Sequence, residues 1–260
     1  MDLRKLTKGL AKIAVSTAVS YGQRIVEAKE RLGYKESFRK TAKDVVTKQD
    51  VLGLQVGDAI CVGNEFMGVV VDKNDNDVCA IPAFRQSVVK NWYTSYLVLP
   101  FNLRRTDSSH MNSVGNFIYS DATSYDDGMW NLMRIKAYME KRKDDKHVRI
   151  EFPVFEYCMQ LGENYYLPAL GELLRLQSEN RLTTINDVLK SFYADAIIPN
   201  NDDCLYWSST DDVDHLFEYN NYANDSGAYA VRIDASGTVR KDVISKRDAA
   251  RILPFYKIQL

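Results

Sequence analysis

Apolar residues in the first thirty positions recur at steps of three and four, which places them on one face of an α-helix that ends near Gly33. A helix of about 30 residues is roughly 45 Å long, more than one small domain can cover. We therefore expect a docking or oligomerisation helix, with the alternative that it folds back along its own domain. The stripe comprises Leu3, Leu6, Leu10, Ile13, Ala14, Thr17, Ala18, Tyr21, Ile25, Ala28 and Leu32.

From Val51 onward the pattern changes to short apolar runs divided by polar turns, which predicts a meander of β-strands. The runs cover residues 56–62, 66–71 and 78–82. The Asp/Asn-rich segment 72–77 between the last two has carboxylates that suit calcium. It lacks the Gly and the terminal Glu of a helix-flanked calcium loop, so an ordinary turn is the better interpretation.

The middle of the chain predicts four helices, and the residues beyond Asn200 predict strands and turns. The helices begin near Gly128, Glu156, Leu170 and Thr183, the last with Thr183 or Thr184 as its N-cap. Strands, then helices, then strands is the order of an α+β fold.

The charge is distributed unevenly along the chain, although the formal net charge is only −1. Residues 1–49 hold 12 Lys and Arg against 5 Asp and Glu, whereas the remaining residues hold 22 against 30. We divide the chain into a basic helical extension, residues 1–49, and a domain, residues 50–260. The extension should meet an acidic surface, unless it is simply a solvated helix. Nucleic acid is not the expected partner, because the stripe has a single aromatic and matches no binding module.

The segment 1–20 resembles a signal peptide only in outline, because Lys12 interrupts its apolar part, and we do not expect cleavage. No run approaches the roughly 20 apolar residues that cross a bilayer. The four cysteines lack CxxC spacing, so structural zinc is not expected, and free thiols fit a reducing compartment.

Several short phrases follow one another in a fixed order. They are Gly57-Asp58, Gly68-Val69-Val70, Gly128-Met129-Trp130-Asn131, Pro153 to Cys158, Tyr166-Leu167-Pro168-Ala169-Leu170-Gly171-Glu172-Leu173, Tyr206-Trp207-Ser208-Ser209-Thr210 and Arg251-Ile252-Leu253-Pro254-Phe255. Over residues 51–257 this order resembles a bacterial and phage family of unknown function with a C-type-lectin-like fold. The resemblance implies mixed sheets with short helices, an alternating hairpin near residues 228–234, and Trp207 buried on a central strand.

Relatives with this fold usually bind or scaffold. Calcium-dependent lectins need a carboxylate before the proline and ligands after the tryptophan, where this chain has Ile198, Ser208 and Ser209. Formylglycine-generating enzymes need two neighbouring reactive cysteines, which the spacing of Cys158 and Cys204 does not indicate. We therefore expect no catalytic residues, metal or cofactor. Asp202, Asp203, Asp211, Asp212, Asp214 and Glu218 are interpreted as solvated loop charge, or as an adventitious cation site.

The segment 217–227 mixes Tyr, Asn, Ser, Asp and Gly, as the binding loops of antibodies do. Related phage variable proteins present such residues as a ligand face, and the alternative is a polar loop without special role. The predicted ligand residues are Tyr219, Asn220, Asn221, Tyr222, Asn224 and Asp225.

These observations predict a non-enzymatic structural or attachment protein of a bacteriophage particle, associated with the tail, collar or fibre. Its expected partners are other virion proteins and further copies of itself, with a host surface glycan or protein as a possible ligand. The expected location is the virion, after synthesis in the host cytoplasm. The alternative is an adhesin of the bacterial surface, and a formylglycine-generating type of enzyme is a remote third.

Overall fold

A computed structural model describes most of the chain beyond residue 42. The described residues are 43–44, 48–62, 65–75, 77–83, 88–92, 94–97, 122–144, 148–192, 194–200, 202–219 and 223–259. The predicted N-terminal helix lies outside these ranges. So do its docking residues Leu3, Leu6, Leu10, Ile13, Tyr21 and Ile25.

The first sheet joins strands from both ends of the described chain. Its strands are β1 (Lys43–Asp44), β2 (Ala59–Val62), β3 (Glu65–Lys73), β4 (Asp77–Pro82), β8 (Tyr165–Tyr166) and β13 (Phe255–Gln259). They are ordered β1-β2-β3-β4-β13-β8, with β1 parallel to β2 and the other pairs antiparallel. The predicted meander is confirmed, and segment 72–77 joins β3 to β4 in the same hairpin.

Both faces of this sheet are covered, which explains why its strands are continuous apolar runs. Val69 and Val71 contact the main core, whereas Val70 belongs to a second cluster with Leu54 and Tyr256. Successive strand residues point to opposite faces, so an unbroken run of valines fills both layers.

The second sheet has the order β11-β10-β9-β12-β5. Its strands are β5 (Val89–Asn91), β9 (Cys204–Tyr219), β10 (Ala223–Ile233), β11 (Val239–Ser245) and β12 (Ala249–Arg251). β12 runs parallel to β9, and the other pairs are antiparallel. The predicted alternating hairpin is confirmed as β10–β11, with Gly237 in its turn at a φ of 81°. A separate pair joins β6 (Thr94–Leu97) to β7 (Val148–Glu151).

The four predicted helices are all present. They are α2 (Gly128–Arg142), α3 (Pro153–Leu161), α4 (Leu170–Leu174) and α5 (Arg181–Ser191), and a short α1 (Lys48–Leu52) precedes them. A 3₁₀ helix, Arg175–Asn180, leads directly into α5. No helix in the described parts of the chain is long and apolar enough to span a membrane.

The predicted N-cap of α5 is wrong. Asn180 holds that position in a left-handed conformation, without a side-chain capping bond. The 3₁₀ helix supplies the missing acceptors, because the Arg181 N–H donates to the carbonyls of Leu176 and Ser178. The helix therefore starts before Thr183 and needs no threonine cap. Together these elements form a mixed α+β protein with antiparallel and mixed sheets and short helices.

Two tryptophans join the edge of the second sheet to its centre. Trp207 on β9 donates its indole N–H to the carbonyl of Lys90 on β5, at 2.8 Å. Trp92, just after β5, donates to the carbonyl of Ser208 at 3.0 Å, and its ring packs edge-on against Phe155. Both side chains are fully buried. Trp207 therefore lies on a central strand, as the sequence predicts.

Substituting Trp207→Ala should lower the free energy of unfolding by about 3–5 kcal/mol, because it removes a large buried ring and leaves a cavity. The matched control is Trp130→Ala on α2, where the ring is 37% exposed, and its expected cost is about 1 kcal/mol or less. Chemical denaturation of both variants measures the difference. Equal losses would contradict the position of Trp207 in the core.

Candidate functional site

The segment Trp207-Ser208-Ser209-Thr210 leaves the ladder between β9 and β10. Ala230 pairs with Trp207 and Ala228 pairs with Asp211, so residues 208–210 lie opposite a single residue of β10. Such a bulge frees backbone groups that need other partners. The N–H of Ser209 donates to the Pro168 carbonyl at 2.8 Å, and that of Asp211 to the Ala122 carbonyl at 2.7 Å.

The hydroxyls of this segment form hydrogen bonds with buried backbone groups. Thr210 Oγ1 accepts from the Leu170 N–H and donates to the Ser124 carbonyl, both at 2.9 Å. Ser208 Oγ accepts from the Thr210 N–H at 2.9 Å. The segment around Leu167-Pro168 and the segment Trp207–Thr210 are therefore joined by hydrogen bonds.

The first turn of α2 forms hydrogen bonds with the same segment. Asn131 Nδ2 donates to Ser209 Oγ and to the Ser124 carbonyl, each at 2.9 Å. A Cβ on Gly128 would lie 2.4 Å from the Leu167 carbonyl oxygen, so only glycine allows this approach. Three of the sequence landmarks thus meet in one hydrogen-bonded cluster.

Glu172 is the charged member of this cluster. Its Oε2 accepts from the N–H groups of Ala169, at 2.7 Å, and Gly128, at 2.9 Å. Its Oε1 lies 2.8 Å from the Tyr166 hydroxyl, which is also 3.3 Å from Cys79 Sγ. Burial raises the pKa of Glu172, although these hydrogen bonds act in the opposite direction. The contacts connect two backbone segments.

The cysteines behave as buried apolar side chains. None of the four forms a disulfide in the described structure, and all four are buried. Burial raises the pKa of Cys79 to about 11 and raises that of Cys158 as well. A reactive cysteine needs the thiolate, which a low pKa provides, so these two thiols are not poised for nucleophilic chemistry.

The interpretation of the acidic run as solvated loop charge is wrong for Asp211 and Asp212. Both lie within β9 and are buried. Asp211 Oδ1 is 2.5 Å from Nζ of Lys246, a lysine with no exposed surface. Sequence reasoning missed this pair because Lys246 lies in a polar stretch after the hairpin, where lysine is normally exposed. The described residues contain no group of three His, Cys, Asp or Glu side chains placed to hold a metal ion.

Three of the six predicted ligand residues lie at the described end of the β9–β10 ladder. Tyr219 ends β9 and pairs with Ala223, while Asn224 and Asp225 pair with Glu218 and Phe217. Asn220, Asn221 and Tyr222 lie outside the described residues, and the structure describes only the backbone of Tyr219, Asn224 and Asp225. The backbone therefore places these three at the end of one hairpin.

We call residues 216–226 the tip. β11 ends at Ser245, which pairs with Gly227, so in the described structure residues 223–226 pair with β9 alone. Residues 213–215 form a second bulge between the tip and Asp212. The tip is thus a two-stranded extension, separated from the three-stranded part of the sheet by an irregular segment.

A shallow polar cleft lies between the 3₁₀ helix and the β10–β11 turn. Its volume is about 210 Å³, and its lining includes Gln177, Asn180, Thr183 and Ser236. Pockets for small molecules usually measure about 300–1,000 Å³ and are mostly apolar. The cleft therefore does not define the site.

Comparison with known proteins gives no match: no family model, no curated protein and no solved structure matches the chain. The lectin-like resemblance consequently depends on the ordered phrases of the sequence alone.

Glu172→Gln should retain the cluster, because the amide oxygen can accept the two N–H bonds and the amide nitrogen can donate to Tyr166. Glu172→Ala should cost about 2–5 kcal/mol, since it leaves two buried N–H groups without partners. Urea unfolding of both variants measures the difference. Comparable losses would contradict the assigned hydrogen bonds.

The raised pKa of Glu172 predicts that the free energy of unfolding depends on pH, and the Glu172→Gln variant tests this. The folded-state pKa of Glu172 lies above its ordinary value of 4.5, so the folded chain binds this proton more tightly than the unfolded chain. Protonated Glu172 therefore stabilises the folded state. This stabilisation is complete below the ordinary pKa of 4.5 and is lost as the pH rises through the folded-state pKa. Wild type should therefore lose stability relative to Glu172→Gln with rising pH. A difference that stays constant with pH would contradict the raised pKa.

Proposed function

We propose that this chain is a non-enzymatic structural or attachment protein of a bacteriophage particle. In this proposal the domain has a C-type-lectin-like fold, and its tip contacts a ligand or a neighbouring virion protein. The observation that carries the proposal is the β9–β10 ladder, which continues past the end of β11 and ends in the Tyr- and Asn-rich sequence.

The chemistry of this sequence suits binding. Tyrosine offers a large contact area at a low cost in side-chain entropy, and asparagine offers adaptable hydrogen bonds. Residues 223–226 pair with β9 alone. The outer edge of this segment therefore has no strand partner in the described structure. An extended segment of another protein could pair with such an edge.

The buried polar groups support a scaffold rather than an active site. The polar atoms of Glu172 and Asn131 form hydrogen bonds with backbone groups and with buried hydroxyls. The raised pKa values of Cys79 and Cys158 disfavour the formylglycine-generating alternative, which needs a reactive thiolate.

Fractionation of the source cells tests the location. Phage particles induced from these cells and purified on a density gradient should contain the chain, as detected by mass spectrometry. Recovery only with the cell envelope would support the bacterial adhesin and contradict the virion proposal.

The double variant Tyr219→Ser, Tyr222→Ser tests the tip. Tyrosines that act as hot spots contribute about 2 kcal/mol or more, so binding to purified particle proteins should weaken at least about tenfold. The melting temperature should stay near that of wild type, because these residues lie beyond the three-stranded part of the sheet. Met133→Ser on α2, which changes an exposed large side chain away from the tip, should leave binding unchanged. Unchanged binding by the tip variant would contradict its role.

Deleting residues 1–33 tests the predicted docking helix. Each buried Leu or Ile of the stripe contributes about 1.5–3 kcal/mol, so the full chain should form oligomers or bind a virion partner. The shortened chain should be a folded monomer by size-exclusion chromatography with light scattering. Salt should weaken the full chain's association, if its basic residues face acidic surfaces of neighbouring copies. A full chain that stays monomeric at high concentration, and has no partner in the particle, would contradict this role.

A further inference from the structure

Lys246 and Asp211 form a fully buried ionic contact. Lys246 follows β11, and Asp211 lies on β9 next to the bulge. Their side chains are 0% and 1% exposed, and Nζ is 2.5 Å from Oδ1. The Trp92 ring covers the ammonium group, with Nζ 4.8 Å from the ring centre.

This environment is costly for two charges. A buried ion pair loses the hydration of both groups, and the mutual attraction often fails to compensate for that loss. Low polarity also favours proton transfer from the ammonium to the carboxylate, which gives a neutral amine beside a neutral acid. A neutral amine is a nucleophile, and a carboxylic acid has a carbon that it can attack.

The fold holds the two groups close to reacting distance. Oδ1 is bonded to the carboxyl carbon that the amine would attack, so the 2.5 Å contact between Nζ and Oδ1 places the amine beside that carbon. Fixing both partners in one closed site replaces an encounter in water, which favours condensation. The indole ring and the surrounding core also exclude water.

We propose that Lys246 and Asp211 condense to an intramolecular isopeptide bond. A bond forms between Nζ and Cγ, and the bond from Cγ to one carboxylate oxygen breaks. Of the three ammonium hydrogens, one stays on the amide nitrogen and two leave with that oxygen as water. The reaction needs no oxidant, cofactor or second protein.

The bond would close a covalent loop around the hairpin. Residues 211–246 contain the tip, β10 and β11, so the cross-link would lie at the base of the segment that carries the predicted ligand residues. Force applied to the tip would then be resisted by a covalent bond at this base. The inference does not depend on the proposed function, because it concerns only the two side chains and their surroundings.

Intact-mass spectrometry of the full, reduced and denatured chain tests the proposal. The folded protein should be lighter than its sequence by one water molecule. Fragmentation of a protease digest should yield a branched peptide that joins Asp211 to Lys246. Wild-type chain recovered from inclusion bodies in denaturant, and so never folded, should have the full sequence mass and should lose one water after refolding.

Lys246→Arg is the matched control, because guanidinium keeps the charge but should not form this amide, and its mass should equal that of its sequence. The wild-type measurements remain decisive even if this variant does not fold. A folded wild-type chain at its full sequence mass would overturn the proposal. So would a loss of water without the branched peptide.

Discussion

Buried backbone groups need hydrogen-bond partners, and the bulge at residues 208–210 is where this requirement is most demanding. By leaving the ladder with β10, this segment gives up regular strand partners. It regains them from the Pro168 and Ala122 carbonyls, while Thr210 satisfies the N–H of Leu170. The second sheet, the loop before α4 and the segment before α2 are therefore fixed against one another. Changing any one of them would leave polar groups unsatisfied in the other two.

The elements of the fold could be predicted from sequence because their signals are local. Alternation, polar turns and Pro153 at the start of α3 each act over a few residues. The N-cap of α5 could not be predicted in this way, because the backbone acceptors that take the place of a threonine cap belong to the preceding 3₁₀ helix. The order of strands in the sheets also depends on long-range pairing, which no local pattern encodes.

The site was predicted less completely, for a related reason. The Tyr- and Asn-rich sequence was recognisable by composition, but it was interpreted as a loop, and only the structure places residues 217–219 and 223–227 in the β9–β10 ladder. The polar interior was not recognisable. Asp211 and Asp212 lie in an acidic run that sequence analysis reads as solvated, and Lys246 lies far from both along the chain. Only the tertiary fold brings this lysine and this aspartate into one buried contact.

The pairing of β4 with β13 has a consequence for how the chain is made. β4 is synthesised early, but one of its neighbours in the sheet, β13, contains residues 255–259. At about 5–20 residues per second, a ribosome needs on the order of ten seconds to add the intervening segment. During that interval the edge of β4 that will pair with β13 lacks its partner. A chaperone that covers this apolar edge, or a low concentration of nascent chains, would keep it from pairing between molecules.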